Sequence, residues 1–275
     1  MSDTFIISIV TFIYFAAAFS YLISFVFRKK PVAFIALALT VLGIIAQTSA
    51  FIIRWIHSYK LGIGHIPLAN FYESVTFFSW SIIFIYLVMG VRYKNSLIGA
   101  LANLFAFILL AYASLSGDMS SQIQPLVPAL QSNWLTIHVI SCFLGYACFA
   151  ISFGTSVLYL IRQRFKKNPV NFLPEPEFLD EVTYKMISIG FVLLTLGIIT
   201  GAAWADHAWG RYWGWDPKET WSLITWLIYA AFLHARLVRG WKGTKMSLLS
   251  IFGFLAVVFT YLGVNYVLSG LHSYL

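Results

Sequence analysis

Eight long apolar runs, separated by short polar stretches, set the pattern of this chain. They lie at roughly 5–27, 32–53, 71–91, 97–115, 134–161, 186–203, 217–237 and 246–268. Each approaches or exceeds the roughly 20 residues that a helix needs to cross a hydrocarbon core. None alternates polar with apolar positions as a barrel strand does, so the spans are helices. The expected fold is all-α: a polytopic membrane protein of eight transmembrane helices, forming one domain over residues 1–275. The first run lacks a basic leader and a small-residue cleavage site, so it reads as a retained helix.

Composition narrows the class further. With 60% apolar and 10% charged residues and a mean hydropathy of +0.82, the chain is not a soluble domain. The formal charge of +8 has a topological explanation that makes nucleic-acid binding an unneeded reading. Of the 18 Lys and Arg, fourteen fall in alternate connections: Arg28, Lys29 and Lys30; Arg92 and Lys94; Arg162, Arg164, Lys166, Lys167 and Lys185; Arg236, Arg239, Lys242 and Lys245. The positive-inside rule makes these connections cytoplasmic. Arg54, Lys60, Arg211 and Lys218 then face the other side, together with both termini and the segment 204–221.

That segment, Trp204-Ala-Asp-His-Ala-Trp-Gly-Arg-Tyr-Trp-Gly-Trp-Asp-Pro-Lys-Glu-Thr-Trp221, holds five of the ten tryptophans. An interfacial belt explains Trp55, Trp80, Trp134 and Trp241. One or two tryptophans would anchor a loop at headgroup depth, so Trp204, Trp209, Trp213, Trp215 and Trp221, with Tyr212, point instead to a platform for a large planar ligand. Asp216-Pro-Lys-Glu219 reads as a helix start: Asp216 is the N-cap, Pro217 the first helical residue, and Glu219 closes a capping box. Both acids therefore shape the segment. Asn70-Phe-Tyr-Glu73 repeats the pattern at the start of the third helix, where Glu73 is a capping residue. Glycines 210 and 214 permit tight turns between the rings.

Five of six histidines (His57, His65, His138, His207 and His272) fall on the external side, and His234 lies near the cytoplasmic end of the seventh helix. His138, one turn into the fifth helix, and His272, just after the eighth, reach the depth of the tryptophans. His57 and His65 belong to the connection 54–70 and read as solvent-facing structural residues.

The run Trp209-Gly-Arg-Tyr-Trp-Gly-Trp-Asp-Pro-Lys-Glu-Thr-Trp-Ser-Leu-Ile-Thr-Trp226, continuing to Leu233-His-Ala-Arg236, resembles the WWD signature of haem-handling proteins, in the CcsA (ResC) form of the system II cytochrome c maturation pathway. The resemblance extends to Pro67-Leu-Ala-Asn-Phe-Tyr-Glu-Ser74, to His138, and to Asn265-Tyr-Val-Leu-Ser-Gly-Leu-His-Ser-Tyr274. The CcmC and CcmF proteins of system I share a WWD loop, but the Asp-Pro-Lys-Glu-Thr-Trp stretch matches the CcsA form better. The resemblance implies a protein that carries haem b across the membrane and presents it for covalent attachment to apocytochrome c. It would be one subunit of a cytochrome c synthase, forming thioether bonds together with a CcsB/ResB-type membrane partner. It also implies that His138 and His272 are axial ligands to the haem iron, and that His234 serves a second, intramembrane site. Asp216 and His234 are eighteen residues apart, about 27 Å of helix, so one porphyrin cannot touch both ends. Arg211 and Lys218 are candidates to pair the propionates.

Cys142 and Cys148 lie inside the fifth helix without a Cys-x-x-Cys, so they read as packing residues. A separate thiol reductant must serve the client's Cys-x-x-Cys-His segment. Alternative readings are a CcmC-like haem release protein, a haem b electron carrier, and a transporter for another substrate. The electron carrier needs histidine pairs buried at matched depths, whereas His234 alone is expected to be buried. The transporter is opposed by the lack of paired broken helices or an obvious inverted repeat. The expected location is the bacterial cytoplasmic membrane, with the thylakoid membrane as the other option.

Overall fold

A computed structural model describes residues 2–93, 95–116, 119–126, 130–165 and 173–268. His272 lies outside the described residues, as do Lys94, Lys166 and Lys167 of the charge pattern. The described residues form helices and connections without a strand, and eight helices are long and apolar enough to span a membrane. They are α1 (Asp3–Phe27), α2 (Lys30–Lys60), α3 (Phe71–Tyr93), α4 (Ser96–Leu115), α5 (Asn133–Arg164), α6 (Pro176–Trp209), α7 (Pro217–Val238) and α8 (Thr244–Val267). Two carry a π-helical turn, Tyr86–Gly90 in α3 and Phe259–Gly263 in α8.

The helices fall into two compact units, Met1–Gln131 and Ser132–Leu275. In the first, α1 packs on α2 and α4, and α3 packs on α4 and α2. Buried polar side chains cross these contacts in pairs, as an apolar surround requires. Tyr14 donates to Gln47 Oε1 at 2.7 Å, Gln47 donates to the Thr76 carbonyl, and Tyr86 bonds Tyr21 at 2.9 Å. Trp80 is placed differently from the expected interfacial belt. It sits about 14 Å along α3 from Phe71, its indole N–H bonded to Thr48 at 2.9 Å and its ring stacked between Phe77 and Phe84.

Arg54 is also not a solvated loop charge. The apolar run ends at 53, but α2 continues to Lys60 because the guanidinium is buried against acids from two other helices. Its Nη1 is 2.8 Å from Asp3 Oδ2 and its Nε 2.7 Å from Glu73 Oε1. It also donates to the carbonyls of Ser121 and Gln122. Glu73 caps α3 as expected and pairs Arg54 as well: its second oxygen accepts from the Ala69 and Asn70 amides. His65 is structural but buried rather than solvent-facing, because both ring nitrogens find carbonyls, one 2.9 Å from that of Ile66 and the other 2.9 Å from that of Gln124. His57 is exposed on the last turns of α2. Arg54→Ala leaves two buried carboxylates without their cation, an expected loss of about 3 kcal/mol or more. The midpoint of thermal unfolding in detergent measures it, and an unchanged midpoint would remove the buried cluster from the account of stability.

In the second unit, α5 packs along α6 and against α8, and α7 packs on α8 and α6. Small residues let the α5 and α6 backbones approach: a Cβ on Gly145 would lie 3.1 Å from the Gly190 carbonyl, and one on Gly197 would lie 2.5 Å from Cys142 Sγ. Cys142 and Cys148 are both free and buried at this seam. Helix α6 begins ten residues before its apolar run, because Asp180 in its first turns is neutralised. Arg236 of α7 lies 2.6 Å from Asp180 Oδ2, and the Gly243 amide donates to Oδ1 at 2.8 Å.

Candidate functional site

The tryptophan segment is mostly helical rather than a loop. Trp204 and Trp209 belong to the last turns of α6, Trp221 to the second turn of α7, and only residues 210–216 connect them. Gly210 ends α6 in the left-handed region (φ 70°), where glycine carries no Cβ penalty. Asp216 then starts α7 with the anticipated capping box and Pro217 in the first turn. Glu219 does more than close that box. Its Oε2 accepts from the Gly214 amide at 2.7 Å and from the Asp216 amide at 3.1 Å. Between those two amides Trp215 is held at φ 57°, a conformation that costs a side-chain-bearing residue about 1 kcal/mol or more. The carboxylate clamps the backbone on both sides of that strained residue, and its indole stands 69% exposed.

The rings divide by environment. Trp213 and Trp215 meet edge to face, with centroids 5.7 Å apart, and Tyr212 beside them is 64% exposed. Arg211 is exposed, and its guanidinium folds over Gly214, where a Cβ would come within 2.9 Å of Nε. Lys218 lies half-buried in the first turn of α7. Trp221 packs against Phe259 in the π-helical turn of α8 at 4.3 Å. Trp204 is fully buried and packs on Trp209 at 4.8 Å, so it backs the site rather than presenting a face.

Trp204 instead supports His138. The imidazole of α5 stacks on the Trp204 ring, with centroids 6.1 Å apart and planes 20° apart. It lies against α6 at Gly201, where a Cβ would fall 2.5 Å from Nδ1. Nδ1 is 2.7 Å from the Gly197 carbonyl. A carbonyl only accepts, so Nδ1 carries a proton, and in the neutral imidazole Nε2 then carries the lone pair. This is the arrangement that orients a metal-binding imidazole and raises its basicity. The donor type and tautomer fit an axial position on haem iron. Gly197, Gly201 and Trp204 lie four and three residues apart on one face of α6, a signal the sequence reading did not use.

The other expected residues are not brought to this point. His272 is outside the described residues. His207 is exposed on the last turns of α6. His234, expected at an intramembrane site, has its side chain exposed on α7, flanked by buried Phe232 and Ala235. It lies about 26 Å along the helix from Pro217, so its distance from the tryptophans stands. Near the end of α8, Asn265 donates to the Tyr261 carbonyl while its buried Oδ1 has no partner among the described residues. No cluster of His, Cys, Asp and Glu among the described residues is arranged as a protein-only metal site.

Residues 68–272 match the cytochrome c assembly protein family. The chain is 40% identical over 278 residues to the cytochrome c biogenesis protein CcsA of Guillardia theta, covering 93% of this chain and 90% of that one. It is 41% identical over 275 residues to CcsA of Prochlorococcus marinus (strain MIT 9312), with coverages of 90% and 87%. It is 44% identical over 229 residues to CcsA of Chlamydomonas reinhardtii, covering 81% of this chain and 63% of that protein. Among solved structures, the cytochrome c haem lyase CcmF has the same fold, with a TM-score of 0.71 over 95% of this chain and 47% of that one, at 18% identity.

Proposed function

Because the chain belongs to the cytochrome c assembly family, in its CcsA form, and is a multi-pass membrane protein of cytochrome c maturation, we propose that it presents haem b at the tryptophan segment for covalent attachment to apocytochrome c. Haem is cargo here rather than a resident cofactor. The observation that carries the reading is His138, tautomerically set by the Gly197 carbonyl and backed by Trp204. His272 is the proposed second axial ligand, resting on the family resemblance. Attachment adds each client thiol S–H across a vinyl C=C bond, a step that is redox-neutral. The protein's task is then to hold the macrocycle with its vinyl edge open and the iron closed to other ligands. Exposed Trp215 and Tyr212, with Trp213, offer flat apolar faces, and Arg211 and Lys218 are the cations proposed for the propionates.

The distribution of basic connections supports an external position for this segment. The exposed face around His234 suits an intramembrane site completed from outside the chain, by a CcsB/ResB-type subunit. That subunit would also supply the bulk that holds the client, and a separate thiol reductant would keep its cysteines reduced. The membrane is the bacterial cytoplasmic membrane or the thylakoid.

The test is purification of the full complex and its absorption spectrum. Trp215→Ala is expected to retain less than about a tenth of the haem, taking stacking at about 1.5 kcal/mol, while protein accumulation stays normal. A complex that never carries haem, or a Trp215→Ala protein with full haem loading, would count against a haem platform.

A further inference from the structure

The two units share more than helix number. In each, the first helix packs on the second and fourth, and the third packs on the fourth and second. In each, an indole N–H on the third helix donates 2.9 Å to a threonine on the second: Trp80 to Thr48, and Trp226 to Thr195. In each, a buried glycine of the second helix faces an aromatic ring of the first, Gly43 against Tyr14 and Gly190 against Phe149. The connection between second and third helices carries a left-handed glycine six residues before the N-cap, Gly64 before Asn70 and Gly210 before Asp216. A glutamate at the third helical position then takes two loop amides on one oxygen, Glu73 in one unit and Glu219 in the other. The sequence runs in register: Glu73-Ser74 and Ser79-Trp80 against Glu219-Thr220 and Thr225-Trp226. Internal structural repeats recur among membrane transporters.

One constant offset relates Gly43, Thr48 and Arg54 to Gly190, Thr195 and Gly201. The offset that relates Tyr14 to Phe149 relates Asp3 to His138. The pair Asp3–Arg54, bonded at 2.8 Å, therefore stands in the first unit where His138 and Gly201 stand in the second. We propose that the units are two copies of one four-helix motif, and that Gly201 is the positioning residue that makes the second copy the haem-bearing one. Its missing side chain leaves to the His138 ring the space that the Arg54 side chain fills in the first copy. The two solutions exclude each other. A side chain at 201 meets the imidazole at 2.5 Å, whereas the first copy needs its guanidinium to neutralise the buried acids. The role given to Gly201 rests on the reading of His138 as an iron ligand, and the equivalence of the copies does not.

Two experiments on the full complex separate these parts. Gly201→Ala should displace the ring and remove the low-spin haem signature, and added imidazole should restore it. Gly190→Ala, at the same helix seam against Phe149, should leave the spectrum of accumulated protein unchanged. Gly201→Arg alone drives a long side chain into the His138 ring and should lower accumulated protein at least tenfold, while His138→Asp with Gly201→Arg, which rebuilds the first unit's cluster beside Glu219, should bring it back to within about threefold of wild type without low-spin haem. An unchanged spectrum in Gly201→Ala overturns the positioning role. A double variant that accumulates no better than Gly201→Arg overturns the equivalence, and it decides the matter if Gly201→Ala does not accumulate. If His138→Ala keeps its low-spin spectrum, the ligand reading beneath the positioning role fails, and the accumulation result still stands.

Discussion

Replacing His138 by alanine is expected to reduce holocytochrome c formation to background, a loss of at least about a hundredfold, equivalent to about 2.8 kcal/mol. The cause is local. The imidazole is the group whose tautomer is fixed by a backbone carbonyl 2.7 Å away and whose ring rests on a buried indole. Removing it leaves a cavity beside Gly201 of about the size of the ring lost, which a small soluble imidazole can enter. Added imidazole should therefore restore part of the low-spin spectrum and part of the yield. His57→Ala and His65→Ala should keep assembly, since one side chain is exposed on α2 and the other bonds two carbonyls of its own unit. Haem-stained cytochrome c and the reduced absorption spectrum are the measurements. Normal assembly in His138→Ala would move the search for ligands to His207 and His272.

The second large effect is expected at Glu219. Alanine there releases the Gly214 and Asp216 amides, both bonded to one carboxylate oxygen, and leaves Trp215 at φ 57° without the two hydrogen bonds that flank it. Charge-assisted hydrogen bonds contribute about 1.5 to 3 kcal/mol each, so loss of two makes the held loop conformation a minor one. Haem retention should fall by more than about tenfold, while Glu219→Gln, which keeps an acceptor oxygen, should retain a substantial part. The helices themselves should persist, so far-UV circular dichroism should not change. Equal haem retention in Glu219→Ala and wild type would show that the clamp is dispensable.

Much of this fold is legible in the sequence, for a physical reason. Apolar runs of spanning length dominate the free energy of membrane insertion, and polar breaks between them locate the turns. The errors lie where charges are paired. Hydropathy reads Arg54 as the end of α2 and the stretch around Asp180 as preceding α6, yet each charge is neutralised inside the protein, and the helix runs on through it. A partner on another helix leaves no trace in a local window. The same holds for Trp80, midway along α3, whose indole finds Thr48 of α2 rather than headgroups.

At the site, the caps Asp216 and Glu219 are readable because their partners are within a few residues. The support of His138 is not, since its acceptor is a main-chain carbonyl of a different helix. The spacing of Gly197, Gly201 and Trp204 is its trace in sequence. The repeat of Asn70-x-x-Glu73 and Asp216-x-x-Glu219 is visible as two helix starts. That it belongs to two related units emerges when the distant threonine and glycine contacts are added.

Helix α6 runs for 34 residues, about 51 Å at 1.5 Å per residue. A hydrocarbon core of about 30 Å cannot contain it, because even at the steep end of observed tilts, about 40°, it still spans about 39 Å. Ten of its residues precede the apolar run and six follow it, so the excess length lies chiefly toward Asp180, and the aromatic rings at the other end stay within about 9 Å of the run's last residue. A water-borne polypeptide approaching that end would meet the rings at the depth of the phospholipid heads.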